Sequence, residues 1–99
     1  MSGFRHVVVF KWVEGTTVSQ QEEVAERLRE LPGTIPEIRA YSVGLDAGLS
    51  EDNADFAVVA DFDGEAEFIV YRDHPAHRAL IKEYIAPIIA SRLAAQYAL

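Results

Sequence analysis

The segment Tyr71-Arg72-Asp73-His74-Pro75-Ala76-His77 places a tyrosine and two of the chain's three histidines around one proline. A neutral imidazole can take a proton near pH 7, and a phenol can hydrogen-bond an oxygen as negative charge develops on it. Proline fixes φ near the helical value and lacks the N–H that a first helical turn would leave unpaired. Pro75 is therefore expected as the first residue of a helix, with His74 as its cap. His77, Leu80, Ile81, Tyr84 and Ile85 follow at helical spacing, so His77 should point inward with the apolar stripe. The third histidine, His6, lies in a separate apolar stretch.

The elements that must hold these groups are legible as alternating patterns. Phe4 to Val13 reads as a long strand, with Phe4, His6, Val8, Phe10 and Trp12 on one face and Arg5, Val7, Val9, Lys11 and Val13 on the other. Its middle is apolar on both faces, so it expects cover on both sides. Glu14-Gly15-Thr16 turns the chain into a helix capped by Thr17, with Gln20 completing a capping box, or by Ser19 with Glu22. Val24, Ala25, Leu28 and Leu31 form its inward stripe, and Pro32-Gly33 ends it. A second strand fits Ile38 to Leu45, a polar loop Asp46 to Ala54, and a third strand Asp55 to Phe62. A short helix over Glu65 to Arg72 carries Phe68 and Tyr71 inward. The Pro75 helix runs to about Ala90, kinked or ended by Pro87, and a last strand fits Arg92 to Tyr97.

Ninety-nine residues form one domain, 1–99, with an ordinary globular composition. The absence of cysteine excludes disulfides, thiol catalysis and cysteine metal sites, and fits a cytoplasmic location. Neither a signal peptide nor a membrane span is indicated. Sixteen acids against nine bases give a formal charge of −7, and the bases are scattered. Nucleic acid and anionic membrane surfaces are therefore not expected partners. The order β-α-β-β-α-α-β is the split βαβ arrangement of a ferredoxin-like α+β fold, four antiparallel strands with all helices on one face. The other face would be bare and apolar, which is unusual for a monomer. A homodimer packed sheet to sheet, a dimeric α+β barrel, follows from the patterning.

Three segments resemble one family, the stress-responsive A/B barrel (Dabb) domain: Phe4 to Lys11, Leu31 to Ile38, and Tyr71 to His77, which is similar to a Y-x-x-H-P-x-H signature. The resemblance covers nearly the whole chain and implies the dimeric barrel. It implies three functional directions. One branch holds a polyketide cyclase whose acid–base pair falls on His77 and Tyr71. Another holds structural stress-response proteins, and many members have no assigned activity. Positions that are polar in the cyclase pocket fall on Leu28 and Phe56, which implies a smaller, less polar cavity here. Some members are described with magnesium on backbone carbonyls near the end of the first helix, which would be those of Leu31, Thr34 and Glu37.

The site expected from these residues is a helix-covered pocket with Tyr71 and His77 as a catalytic pair, joined by His6 if its strand face lies under the helices. Phe10, Leu28, Phe56 and Tyr84 are its expected lining. The ligand class is a small apolar or aromatic molecule. No side-chain metal site and no organic cofactor are expected: His74 and His77 diverge, and no acid completes a triad.

Overall fold

Strand β1 (Phe4–Trp12) is central because it is the most continuously apolar segment. It pairs antiparallel with β3 (Phe56–Phe62) on one side and with β4 (Ile89–Ala98) on the other. Strand β2 (Ala40–Leu45) completes a four-stranded sheet of order β2-β3-β1-β4. The structure, a computed structural model, describes residues 3–99. The alternation along β1 resolves which face is which: His6, Val8, Phe10 and Trp12 are buried, whereas Arg5, Val7 and Val9 are half-buried on the outer face.

Helix α1 (Val18–Arg29) starts at Thr17 through the expected reciprocal box. The Thr17 hydroxyl accepts from the Gln20 N–H at 3.1 Å, and the Gln20 amide oxygen accepts from the Thr17 N–H at 2.8 Å. It buries Val24, Ala25 and Leu28. Leu31 falls just past it, in a 3₁₀ turn over Leu31–Gly33, and is still buried. β2 begins at Ala40 rather than Ile38, because Ile38 donates to the Ile35 carbonyl in a turn before Arg39 joins the sheet at Asp61. Ile38 nonetheless belongs to the core.

Helices α2 (Glu65–Asp73) and α3 (Pro75–Leu80) meet at His74. The chain then makes one π turn over Ile81–Ile85, closed by the Ala86 N–H on the Ile81 carbonyl at 2.7 Å. The helical path thus ends before Pro87 rather than continuing to Ala90, and β4 starts three residues earlier than its composition suggests. Alanines are weak strand formers, but β1 offers a full edge to pair with. Lys11 faces Ser91 and Trp12 faces Ile89, so Ala90 is an extra residue in the ladder, a β-bulge.

The helices cover the sheet unevenly. α1 packs over β2, and α2 over β1 and β3, while every residue of β4 after Ile89 is exposed. On the outer face Val7, Val9 and Val59 surround a bidentate Arg5–Asp61 pair at 2.7 and 2.8 Å, with Leu93 75% exposed and Tyr97 47% exposed beside them. This is the bare apolar face that the patterning requires of the fold. No helix among the described residues is long and apolar enough to cross a membrane.

Candidate functional site

The site is built on a helix break. Pro75 has no N–H, and the Ala76 N–H, which would otherwise reach back to the Arg72 carbonyl, donates instead to His74 Nδ1 at 3.0 Å. The His74 N–H donates to the Tyr71 carbonyl. The Arg72 carbonyl is thereby left to a side chain, and His77 Nδ1 takes it at 3.1 Å. A carbonyl only accepts, so His77 carries its proton on Nδ1 and presents Nε2 as an unprotonated acceptor. The same ring lies against Tyr71, with centroids 4.2 Å apart. His74 itself is a cap, as expected.

His6 reaches the same place from the sheet. The register aligns Gln96, His6, Ala60 and Tyr41 in one row under the helices. Ala60 is small, which leaves room above it for the Tyr71 ring, and the Tyr71 and Tyr41 hydroxyls hydrogen-bond at 2.8 Å. Gln96 Nε2 donates to His6 Nδ1 at 2.9 Å, so His6 carries its proton on Nε2. The two histidines therefore hold opposite tautomers: His77 Nε2 accepts and His6 Nε2–H donates.

Burial keeps all of these groups neutral. It lowers His6 to about 4, with the Arg92 charge and His77 adding to the effect. Burial also lowers His77, opposed by its bond to Arg72 and reinforced by Arg92 and His74. The Tyr71 phenol is pushed up to about 12 by burial, against smaller pulls from Tyr41 and Arg92. Tyr41 is driven well above the usual phenol range, again chiefly by burial.

Above the polar groups lies a cavity of about 150 Å³. His6, Val8 and Phe10 of β1 form its floor with Val58, and Leu28 forms part of its wall. Tyr71 and His77 enter from the helix junction, Ile81, Ile85 and Ala86 from the π turn, and Ile89 and Arg92 from β4. Five of the seven expected positions thus converge: His6, Phe10, Leu28, Tyr71 and His77. Two do not. Phe56 is sealed in the core, 1% exposed, against Phe10 and Trp12. Tyr84 sits under the Arg27 guanidinium, 5.5 Å from it, because the π turn adds a residue and rotates Tyr84 toward α1. The same extra residue puts Ile85 and Ala86 on the cavity wall. Ile85 belongs to the stripe expected with His77, whereas sequence reasoning did not assign Ala86, Arg92, Gln96 or Tyr41 to the site. Their common signal is register, which alternation alone does not set.

For a cation at the end of α1, the Leu31 carbonyl already accepts two N–H groups, from Thr34 at 2.9 Å and Ile35 at 2.8 Å. Of the Leu31, Thr34 and Glu37 carbonyls, that of Leu31 is therefore already engaged within the chain. Among the described residues no cluster of three or more acidic, histidine or cysteine side chains is placed to bind one.

A ferredoxin-like sheet with a small apolar cavity between sheet and helices defines the class. The chain belongs to the stress responsive A/B barrel domain family (Dabb), whose model matches residues 4–99. It is similar to a dimeric ferredoxin-like protein of unknown function from Thermobifida fusca, with 49% identity, TM-score 0.90, and coverage of 99% of this chain and 92% of that one. A dimeric protein of unknown function from Bacteroides fragilis shares 29% identity at TM-score 0.85, covering 98% and 96%. The hydroxynitrile lyase of Passiflora edulis has the same fold at 20% identity and TM-score 0.84, covering 98% and 93%. A comparison with curated protein sequences finds no match to the chain.

The neutral His6 gives stability a definite pH dependence. Its native pKa of about 4 lies below the usual 6.5. Between those values the unfolded chain binds a proton that the native chain refuses, so stability falls as pH falls through that window. The full loss from His6 is about 3 kcal/mol, and the His77 shift acts in the same direction. Denaturant titrations from pH 7.5 to 4.5 should show this decline, and His6→Gln should flatten most of it. Equal slopes in wild type and variant would contradict the buried neutral His6.

Proposed function

We propose that this protein is a homodimer in which each protomer holds a small, largely apolar or aromatic molecule in the cavity above His6, Tyr71 and His77. The observation that carries this reading is the cavity itself: apolar walls with three polar groups converging on one end, the usual make-up of a small-molecule site. Its volume, about 150 Å³, matches that of cavities that take up a benzene-sized guest. An extended poly-β-keto chain is too large for it, which argues against polyketide cyclisation. A purely structural role is disfavoured because, of Phe10, Phe56 and Tyr84, the residues that would have filled the space, Phe10 lines the cavity without closing it and the other two face elsewhere.

A second reading is favoured by the tautomers. His77 Nε2 can accept a proton from a bound molecule, while the Tyr71 hydroxyl and His6 Nε2–H can donate to an oxygen of it. That is a cofactor-free acid–base arrangement using His77 and Tyr71. One protein of the same fold is named a lyase, so the fold is compatible with catalysis.

The dimer reading rests on the apolar outer face and on relatives described as dimeric. The internally paired Arg5 and Asp61 let that face be covered without leaving a lone charge buried. Light scattering at micromolar concentration should give twice the 11.0 kDa chain mass. Val59→Glu, which puts a charge into the middle of the face, should give folded or partly folded monomer. A wild-type monomer would contradict the assembly.

For the cavity, benzyl alcohol titrated into isotopically labelled protein should shift the Ile85 and Val58 methyl resonances saturably. Ile81→Trp, which fills the cavity from its rim without touching the core, should abolish those shifts while keeping the melting temperature within a few degrees. No saturable shift in the wild type, or unchanged shifts in Ile81→Trp, would contradict the binding reading.

A further inference from the structure

Arg92 is the cavity residue for which the reading above has no use. It is exposed at the open side, over the part of the sheet that the helices leave uncovered. It pairs in register with Phe10, which aims it along the helix-side face of β4 in line with Ala94 and Gln96. Ala94 has too small a side chain to close that side, and the ladder bulge at Ala90 ends the regular pairing just beyond. The cavity wall contains no aspartate or glutamate.

Most other guanidiniums provide a contrast. Arg5, Arg27, Arg39 and Arg72 all sit in ion pairs with carboxylates of their own chain, and Arg29 donates to the Val43 carbonyl. Arg78 also has no carboxylate within 4 Å among the described residues, but it is exposed on α3 and does not line the cavity. Among the described residues Arg92 has no carboxylate within 4 Å, in a chain with sixteen acids and nine bases. A permanent cation thus stands at the mouth of an apolar cavity whose remaining polar groups are neutral. Its field is felt inside, since it helps to hold His6 and His77 unprotonated.

We propose that the ligand of this cavity is a small monocarboxylate, its apolar or aromatic body between Val8, Leu28, Val58 and Ile85 and its carboxylate held by the Arg92 guanidinium. A planar guanidinium offers two parallel N–H donors that match the two oxygens of a carboxylate. One cation with no second base beside it suits a monoanion, and a phosphate dianion would remain half-neutralised. The His6 Nε2–H is a further donor in the cavity lining. A body of benzene size fills the volume, so benzoate is the natural probe. This inference rests on the cavity being a ligand site, and it adds the charge of the ligand and the residue that selects it.

The test compares benzoate with benzyl alcohol, nearly the same shape without the charge, on wild type, Arg92→Gln and Arg92→Lys. Titration calorimetry or methyl shifts supply the affinities, and light scattering confirms that assembly is unchanged. In the wild type benzoate should bind roughly ten- to a hundredfold more tightly than benzyl alcohol, the scale of a charge-assisted hydrogen-bond pair. Arg92→Gln should remove that preference by weakening benzoate far more than benzyl alcohol, and Arg92→Lys should restore only part of it. Equal affinity for the two probes, or a benzoate preference that survives in Arg92→Gln, overturns the carboxylate assignment while the binding reading stands. Binding of neither probe overturns both.

Discussion

The break in the helix at His74-Pro75 is the constraint on which the site depends. A continuous helix would consume the Arg72 carbonyl in its own ladder and leave His77 free to choose either tautomer. The missing N–H of Pro75 and the capture of the Ala76 N–H by His74 free that carbonyl, and His77 takes it through Nδ1 at 3.1 Å. One backbone event therefore does two things. It turns α3 so that His77 lies on Tyr71, and it fixes which nitrogen of His77 faces the cavity. The π turn at Ile81–Ile85 is the second local departure, and it supplies the cavity's outer wall.

The sheet contributes the complementary half. His6 is held by Gln96 in the opposite tautomer, and the small Ala60 beside it lets Tyr71 descend to meet Tyr41. Low local polarity keeps both imidazoles neutral, at a cost in stability that acid conditions reveal. Neutral donors and acceptors in an apolar cavity select shape and hydrogen-bonding pattern, and Arg92 at the mouth would select charge. The uneven helix cover explains why the cavity has a mouth: the helices end over β1, and β4 carries its residues into the open.

Much of this was legible in the residues. Alternation from Phe4 to Val13 gave the first strand and its two apolar faces, the Thr17–Gln20 spacing gave the first helix start, and Tyr71 through His77 gave the helix junction and its inward ring pair. The positions that eluded pattern reading share a physical cause. Phe56 and Phe10 are both apolar, helix-facing strand residues, and only three-dimensional packing decides that one is sealed and the other lines space. Tyr84 fits an α-helical stripe and leaves it because a π turn changes the phase, which no apolar period announces. Arg92, Gln96 and Tyr41 reach the site through strand register, a long-range property that a one-dimensional pattern does not carry. Alanine-rich β4 formed because its neighbour offered a full edge, against its own weak propensity.

Two neutral histidines of opposite tautomer face one small cavity. Nitrogen-15 NMR of the imidazole rings tests this most directly, since each ring's two nitrogens report where its proton lies. The spectrum expected at pH 7 has a proton on Nε2 of His6 and on Nδ1 of His77, with the free Nε2 of His77 shifting when benzyl alcohol is added. A charged ring at either position, the same tautomer at both, or a His77 Nε2 signal indifferent to the probe would contradict it.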